Sequence, residues 1–220
     1  MKTEIPFITH GLSNKDINLV CKANQRFNRY CDQVGLDVRV VEGYRELPKV
    51  KIPAFLEGEI SDISEFGKRG TLDHYVLNSF LIECFLSNKH MDYFRGDNSY
   101  FLIGVDKKIV QPGEQLKWHV KSRGGENYGL SSKVSPKGLA YCVLTTYPLA
   151  RIEDPKHKDT FLDYIIRHEL GHVLIPAKDL PEDAADNPMK PLKSATPEYL
   201  AVKNIEYTTE QIDSINSRLA

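Results

Sequence analysis

"KDTFLDYIIRHELGHVLI", residues 158–175, repeats its apolar side chains at a period that suits a helix. Phe161, Ile165, His168 and His172 follow at steps of three and four, and Leu162, Ile166, Glu169 and Val173 run beside them, so each set lines one face. Pro176 lacks the N–H that a further turn needs and marks the end. Inside this helix stands His168-Glu169-Leu170-Gly171-His172. Histidines four apart share a face, so both imidazoles can converge on one ion with Glu169 next to it.

These residue types suit metal-assisted hydrolysis. Zinc lowers the pKa of a water bound to it, and a neighbouring carboxylate can take that proton, deliver the nucleophile to a peptide carbonyl and later protonate the leaving amine. A five-residue string is short enough to arise by chance, and two histidines can also simply cap or pack. Context favours the metal: the string lies late on a strongly periodic helix, Gly171 leaves room for a neighbouring element, and buried histidines without a metal need other partners.

The 220 residues suit one large domain, and 41% hydrophobic, 27% charged and 10% aromatic residues describe an ordinary globular chain. Lys and Arg number 29 against 30 Asp and Glu, so no net field draws the chain to nucleic acid or to an anionic membrane. The local group Lys117, His119, Lys121 and Arg123 reads as a solvated edge. Glu4 and Pro6 interrupt the N-terminal apolar residues, so no secretory signal is expected, and no stretch has the length of a membrane span. Cys21, Cys31, Cys84 and Cys142 form no C-x-x-C pair and sit among apolar neighbours, which predicts reduced, buried thiols and a cytoplasmic setting.

Outward from the helix, elements alternate. Residues 14–35 carry Ile17, Val20, Cys21, Ala23, Phe27 and Tyr30 at helical spacing and close at Gly35. Residues 37–42 alternate as a strand around Val38 and Val40. Residues 50–70, broken by Pro53, Gly58 and Gly67, read as irregular; Thr71 and Asp73 then start a helix through residues 75–86. Residues 99–106 form a compact apolar strand. After a loop, residues 128–134 and 138–147 read as a hairpin whose second strand is buried. Thr208 and Gln211 open a terminal helix, residues 208–219, with a capping box. Interleaved strands and helices predict an α/β sandwich around a mixed sheet.

"GLAYCVLTTYPLARI" (residues 138–152), a spacer and "FLDYIIRHELGHVL" (residues 161–174) resemble the archaemetzincins, metzincin-type zinc peptidases in which an apolar strand leads through a loop into the active-site helix. The resemblance covers the order of elements from about Ile5 to the last helix, with motif similarity confined to residues 128–189. The family pattern continues as H-E-x-x-H-x-x-G-x-x-H, then cysteines for a second zinc, then a methionine turn. Here Ile175 replaces the glycine, Lys178 stands at the third histidine, and the C-x4-C cysteines have no counterpart. One zinc ion is expected rather than two.

An ammonium must lose its proton before it binds a metal, so Lys178 is a poor ligand. Asp179 is the first choice as third ligand; Glu182, Asp183 and Asp186 in the same loop, or His119, His157 or Glu198 further off, stay open. Met189, bracketed by Pro188 and Pro191, stands where the resemblance places the methionine turn, as support rather than as a ligand. Tyr147 and Tyr199 are candidates for an auxiliary phenol.

The expectation is a metzincin-like zincin in one catalytic domain, residues 1–220, with an N-terminal subdomain, residues 1–175, and a small C-terminal one, residues 176–220. His168, His172 and Asp179 would hold zinc and Glu169 would act as base toward a peptide or protein substrate. The alternatives are a gluzincin-like peptidase with a later glutamate ligand such as Glu198, and a catalytically weak, zinc-stabilised binding module.

Overall fold

The computed structural model describes residues 2–42, 100–106, 128–131, 140–175, 187–190, 196–201 and 204–219. The helix expected at residues 75–86 and the turn at residues 135–138 lie outside these. Strand β1 (Thr3–His10), helix α1 (Asn14–Val34) and strand β2 (Val38–Glu42) open the chain as a β-α-β unit with parallel strands. Ser13 caps α1 by accepting from the Asp16 amide at 3.1 Å, and Gly35, at φ 74°, turns the chain out in the left-handed conformation.

The apolar pattern does not announce β1. Pro6 interrupts it, and a proline argues against an interior strand. Pairing with β3 (Tyr100–Val105) begins only at Phe7, so Pro6 sits where β2 alone flanks it. A missing N–H costs nothing on a side with no ladder to join.

Strand β4 (Gly129–Ser131) and strand β5 (Ala140–Thr145) complete a sheet of order β2-β1-β3-β5-β4, in which only β4 runs antiparallel. The expected mixed sheet and antiparallel β4–β5 pairing are both present. Every residue of β5 is buried, as a strand covered on both faces requires, and this explains its unbroken apolar run.

Helix α2 (Pro155–Leu174) starts three residues earlier than its apolar period indicates. Asp154 accepts from the Lys156 amide at 2.8 Å, and Pro155 occupies the first turn, where its missing N–H has no partner to lose. The helix ends at Leu174 because Ile175 precedes a proline and is held extended, at φ −106° and ψ 121°. Helix α1 packs on β2, α2 packs on β4 and β5, and the two helices meet. Arg26 of α1 joins them by reaching both carboxylate oxygens of Asp163 with Nε at 2.9 Å.

Two short helices follow, α3 (Pro197–Ala201) and α4 (Thr209–Leu219). The capping box of α4 forms as expected: the Thr208 amide donates to Gln211 Oε1 at 2.9 Å, and the Gln211 amide donates to Thr208 Oγ1 at 3.3 Å. Asn216 ties α4 to the end of α1, accepting from the Asp37 amide and donating to the Gly35 carbonyl. No helix among the described residues is long and apolar enough to cross a membrane.

Candidate metal centre

His168 and His172 face each other across one turn of α2, with Nε2 atoms 3.2 Å apart and rings at 81°. A tetrahedral ion bound by two imidazole nitrogens at zinc distances holds them about 3.3–3.4 Å apart, so this separation fits a shared zinc. The tautomer of His168 is set from behind. Its Nδ1 lies 2.6 Å from the Pro188 carbonyl, which accepts only, so in the neutral ring Nδ1 carries the proton and the lone pair is on Nε2.

Pro188 is held there by its own turn. Among residues 187–190, the Met189 amide donates to Asn187 Oδ1 at 2.8 Å, and the Tyr164 hydroxyl donates to the Asn187 carbonyl at 3.2 Å and to the Lys190 carbonyl. The Tyr164 ring also stacks on His168, 17° from parallel with centroids 6.2 Å apart. One buried side chain one turn before the first histidine therefore fixes both that ring and the turn that orients it.

Met189 is fully buried against α2. A β-carbon on Gly171 would overlap its sulfur and would lie 3.3 Å from its methyl and 3.5 Å from the Tyr207 ring. The glycine in the motif thus admits Met189 and its turn to the underside of the helix. Below it, the Tyr207 hydroxyl donates to the Arg167 carbonyl, Arg167 donates to the Ile205 carbonyl, and its guanidinium lies 3.9 Å from the Tyr30 ring centre. These contacts fasten residues 205–207 to the helix immediately behind His168.

Glu169 is buried and lies against Gly129 of β4. Behind it on β5, burial first and then the Glu169 charge push the Cys142 thiol well above its ordinary value, so Cys142 stays protonated and supplies no thiolate. Among the described residues Cys31 and Cys142 are buried and Cys21 is half-buried. Cys84 lies outside the described residues.

Among the described residues, no third His, Cys, Asp or Glu side chain joins the histidine pair. Asp179, with Lys178, Glu182, Asp183, Asp186 and His119, lies outside them; so does the side chain of Glu198, although its backbone belongs to α3. His157 is no longer a candidate. It stands in the first turn of α2, about 16 Å along the axis from His168 at the rise of an α-helix, facing Asp154 at 3.4 Å. Tyr147 lies in a 3-10 turn (Tyr147–Ala150) with the Arg151 guanidinium 5.0 Å from its ring centre, and Tyr199 is half-buried in α3.

Sequence reasoning does not single out Tyr164, Asn187, Pro188 or Gly129 around the expected histidines, glutamate and methionine. Tyr164 was the one within reach, because it precedes His168 by four and so shares its face. The others act through contacts between segments far apart in the chain.

No family model and no curated protein sequence matches the chain. Solved structures do. The archaemetzincin of Methanopyrus kandleri superposes with a TM-score of 0.58 at 17% identity, over 99% of this chain and 96% of that one. The archaemetzincin of Archaeoglobus fulgidus, solved in complex with malonate, gives 0.51 at 14% identity, over 96% and 99%. At these identities the likeness concerns the fold, and the chain has the fold of the archaemetzincins.

Proposed function

We propose that the protein is a zinc-dependent peptidase, with His168 and His172 as two ligands, Glu169 as general base and Asp179 as third ligand. The observation that carries this reading is the 3.2 Å approach of the two Nε2 atoms, with His168 oriented by the Pro188 carbonyl. When bound, zinc supplies Lewis acidity that polarises a peptide carbonyl and acidifies water.

Glu169 takes a proton from the attacking water on its carboxylate and returns it to the nitrogen of the leaving amine. Its burial excludes bulk water from that proton's path. His168 keeps its proton on Nδ1 through the Pro188 carbonyl, which leaves Nε2 as donor to the metal. An extended peptide is the proposed substrate class: β4 ends the sheet among the described residues, with its backbone against Glu169, and a strand at that position suits pairing with a peptide.

The two Nε2 atoms would also stand this close in an N–H···N hydrogen bond, so metal content decides first. The wild-type protein should hold one zinc per chain and cleave a generic peptide library, with cleavage lost on treatment with a chelator. Glu169→Gln should keep the zinc and lose cleavage. Zinc without cleavage in either protein would instead identify a zinc-stabilised binding module, and protein that takes up no zinc would end the proposal.

A further inference from the structure

Gly129 is the residue of β4 against which Glu169 lies. Its backbone gives no reason for glycine: it is paired in register with Leu144, and among the described residues only Gly11 and Gly35 have positive φ. Glycine weakens a strand, so its presence points to a close approach. The approaching group is the Glu169 side chain. A β-carbon on Gly129 would overlap Oε1, Cδ and Cγ of Glu169, all well inside van der Waals contact.

The depth of this overlap matters. If only the carboxylate tip were touched, rotation about its last bond would relieve it; overlap reaching Cγ requires the whole side chain to change rotamer. Glu169 is buried, with β5 and the Cys142 thiol nearby, so displacing it means either crowding the core or moving the carboxylate away from Gly129.

We propose that Gly129 is a positioning residue: by presenting bare backbone to α2, it keeps the carboxylate of Glu169, the residue next to His168, in one conformation. The role in cleavage rests on Glu169 being the general base, whereas the steric coupling does not. The sequence signal is a glycine inside a strand 40 residues from its partner.

Two measurements test this, and they fail separately. The first is a thermal-unfolding cycle of Gly129→Ala, Glu169→Ala and the double variant. Gly129→Ala should lower Tm by roughly 2–10 °C, the range expected for an overpacked site in a domain of this size, and the double variant should melt no lower than Glu169→Ala alone. Additive losses overturn the proposal. Should Gly129→Ala fail to fold, a folded double variant supports it and an unfolded one overturns it.

The second compares wild type and Gly129→Ala loaded with zinc, reading metal content, kcat and the acid limb of the pH profile on one peptide. The variant should keep one zinc per chain, lose at least about tenfold in kcat and shift the acid limb, because the displaced carboxylate titrates in new surroundings. An unchanged kcat and pH profile overturn the positioning role. If the wild type binds zinc but cleaves nothing, the peptidase reading and the role in cleavage fall together, and the unfolding cycle still decides whether Gly129 holds Glu169.

Discussion

The sulfur of Met189 fills the space into which a β-carbon on Gly171 would project. The one small residue of the HELGH motif is therefore a seat for the turn at residues 187–190, which in turn presents the Pro188 carbonyl to His168. His168, turn and helix form one packed unit.

Gly171→Ala should cost about 1–3 kcal/mol, the usual penalty of overpacking, and Met189→Ala about 2–5 kcal/mol for the cavity it leaves. Combined, they should cost less than the sum, because losing the thioether makes room for the new methyl. Urea denaturation of the three variants reads this directly; a fully additive double variant would mean that the two positions do not press on each other.

Asn187→Ala removes the acceptor of the Met189 amide and leaves a buried N–H, at a cost of about 1–3 kcal/mol. Loosening the turn also frees the Pro188 carbonyl, so zinc affinity should fall by about 10–100-fold, the usual effect of losing an outer-shell partner. Competition with a chromophoric chelator measures it. Unchanged affinity would show that the turn does not govern His168.

Tyr164→Phe separates the two tasks of that side chain. The ring that stacks on His168 stays, while the hydroxyl that donates to the Asn187 and Lys190 carbonyls is lost. Stability should drop by about 0.5–1.5 kcal/mol, with a smaller fall in zinc affinity than in Asn187→Ala. A larger fall would assign orientation of the site to the hydroxyl.

Alkaline pH should unfold the protein by ionising its buried thiols and phenols. Burial pushes the Cys31 thiol from 9.0 up to about 12, and it also raises Cys142 and Tyr207 well above their ordinary values. A group whose pKa is raised on folding binds its proton more tightly in the native state. Its contribution is complete well below pH 9, the midpoint at which the unfolded thiol ionises, and is lost as pH rises toward 12. For Cys31 alone this is on the order of 4 kcal/mol. Denaturant midpoints between pH 8 and 12 should fall, and fall less steeply in Cys31→Ala; equal slopes would mean that Cys31 does not titrate in this window.

What could be read in advance depended on the range of the interactions. Helices α1 and α2 and the box at Thr208 and Gln211 were legible because caps and the 3.6-residue period are set by neighbours a few positions away. Strand β1 was not, since Pro6 is tolerable only because the β3 ladder begins one residue later. The apolar period starts α2 three residues late because Asp154 and Pro155 signal a helix by capping chemistry, not by apolar period.

The sequence by itself determined that two histidines share one helix face at a spacing that suits a zinc ion, with a glutamate on the stripe beside them, because residues four apart on a helix are neighbours whatever surrounds them. The tertiary structure decided the rest. The Pro188 carbonyl sets which nitrogen of His168 carries the proton, bare backbone at Gly129 makes room for Glu169, and Met189 lies beneath Gly171. Each of these is a contact between segments 18 to 40 residues apart, formed only when the sheet and the turn close on the helix.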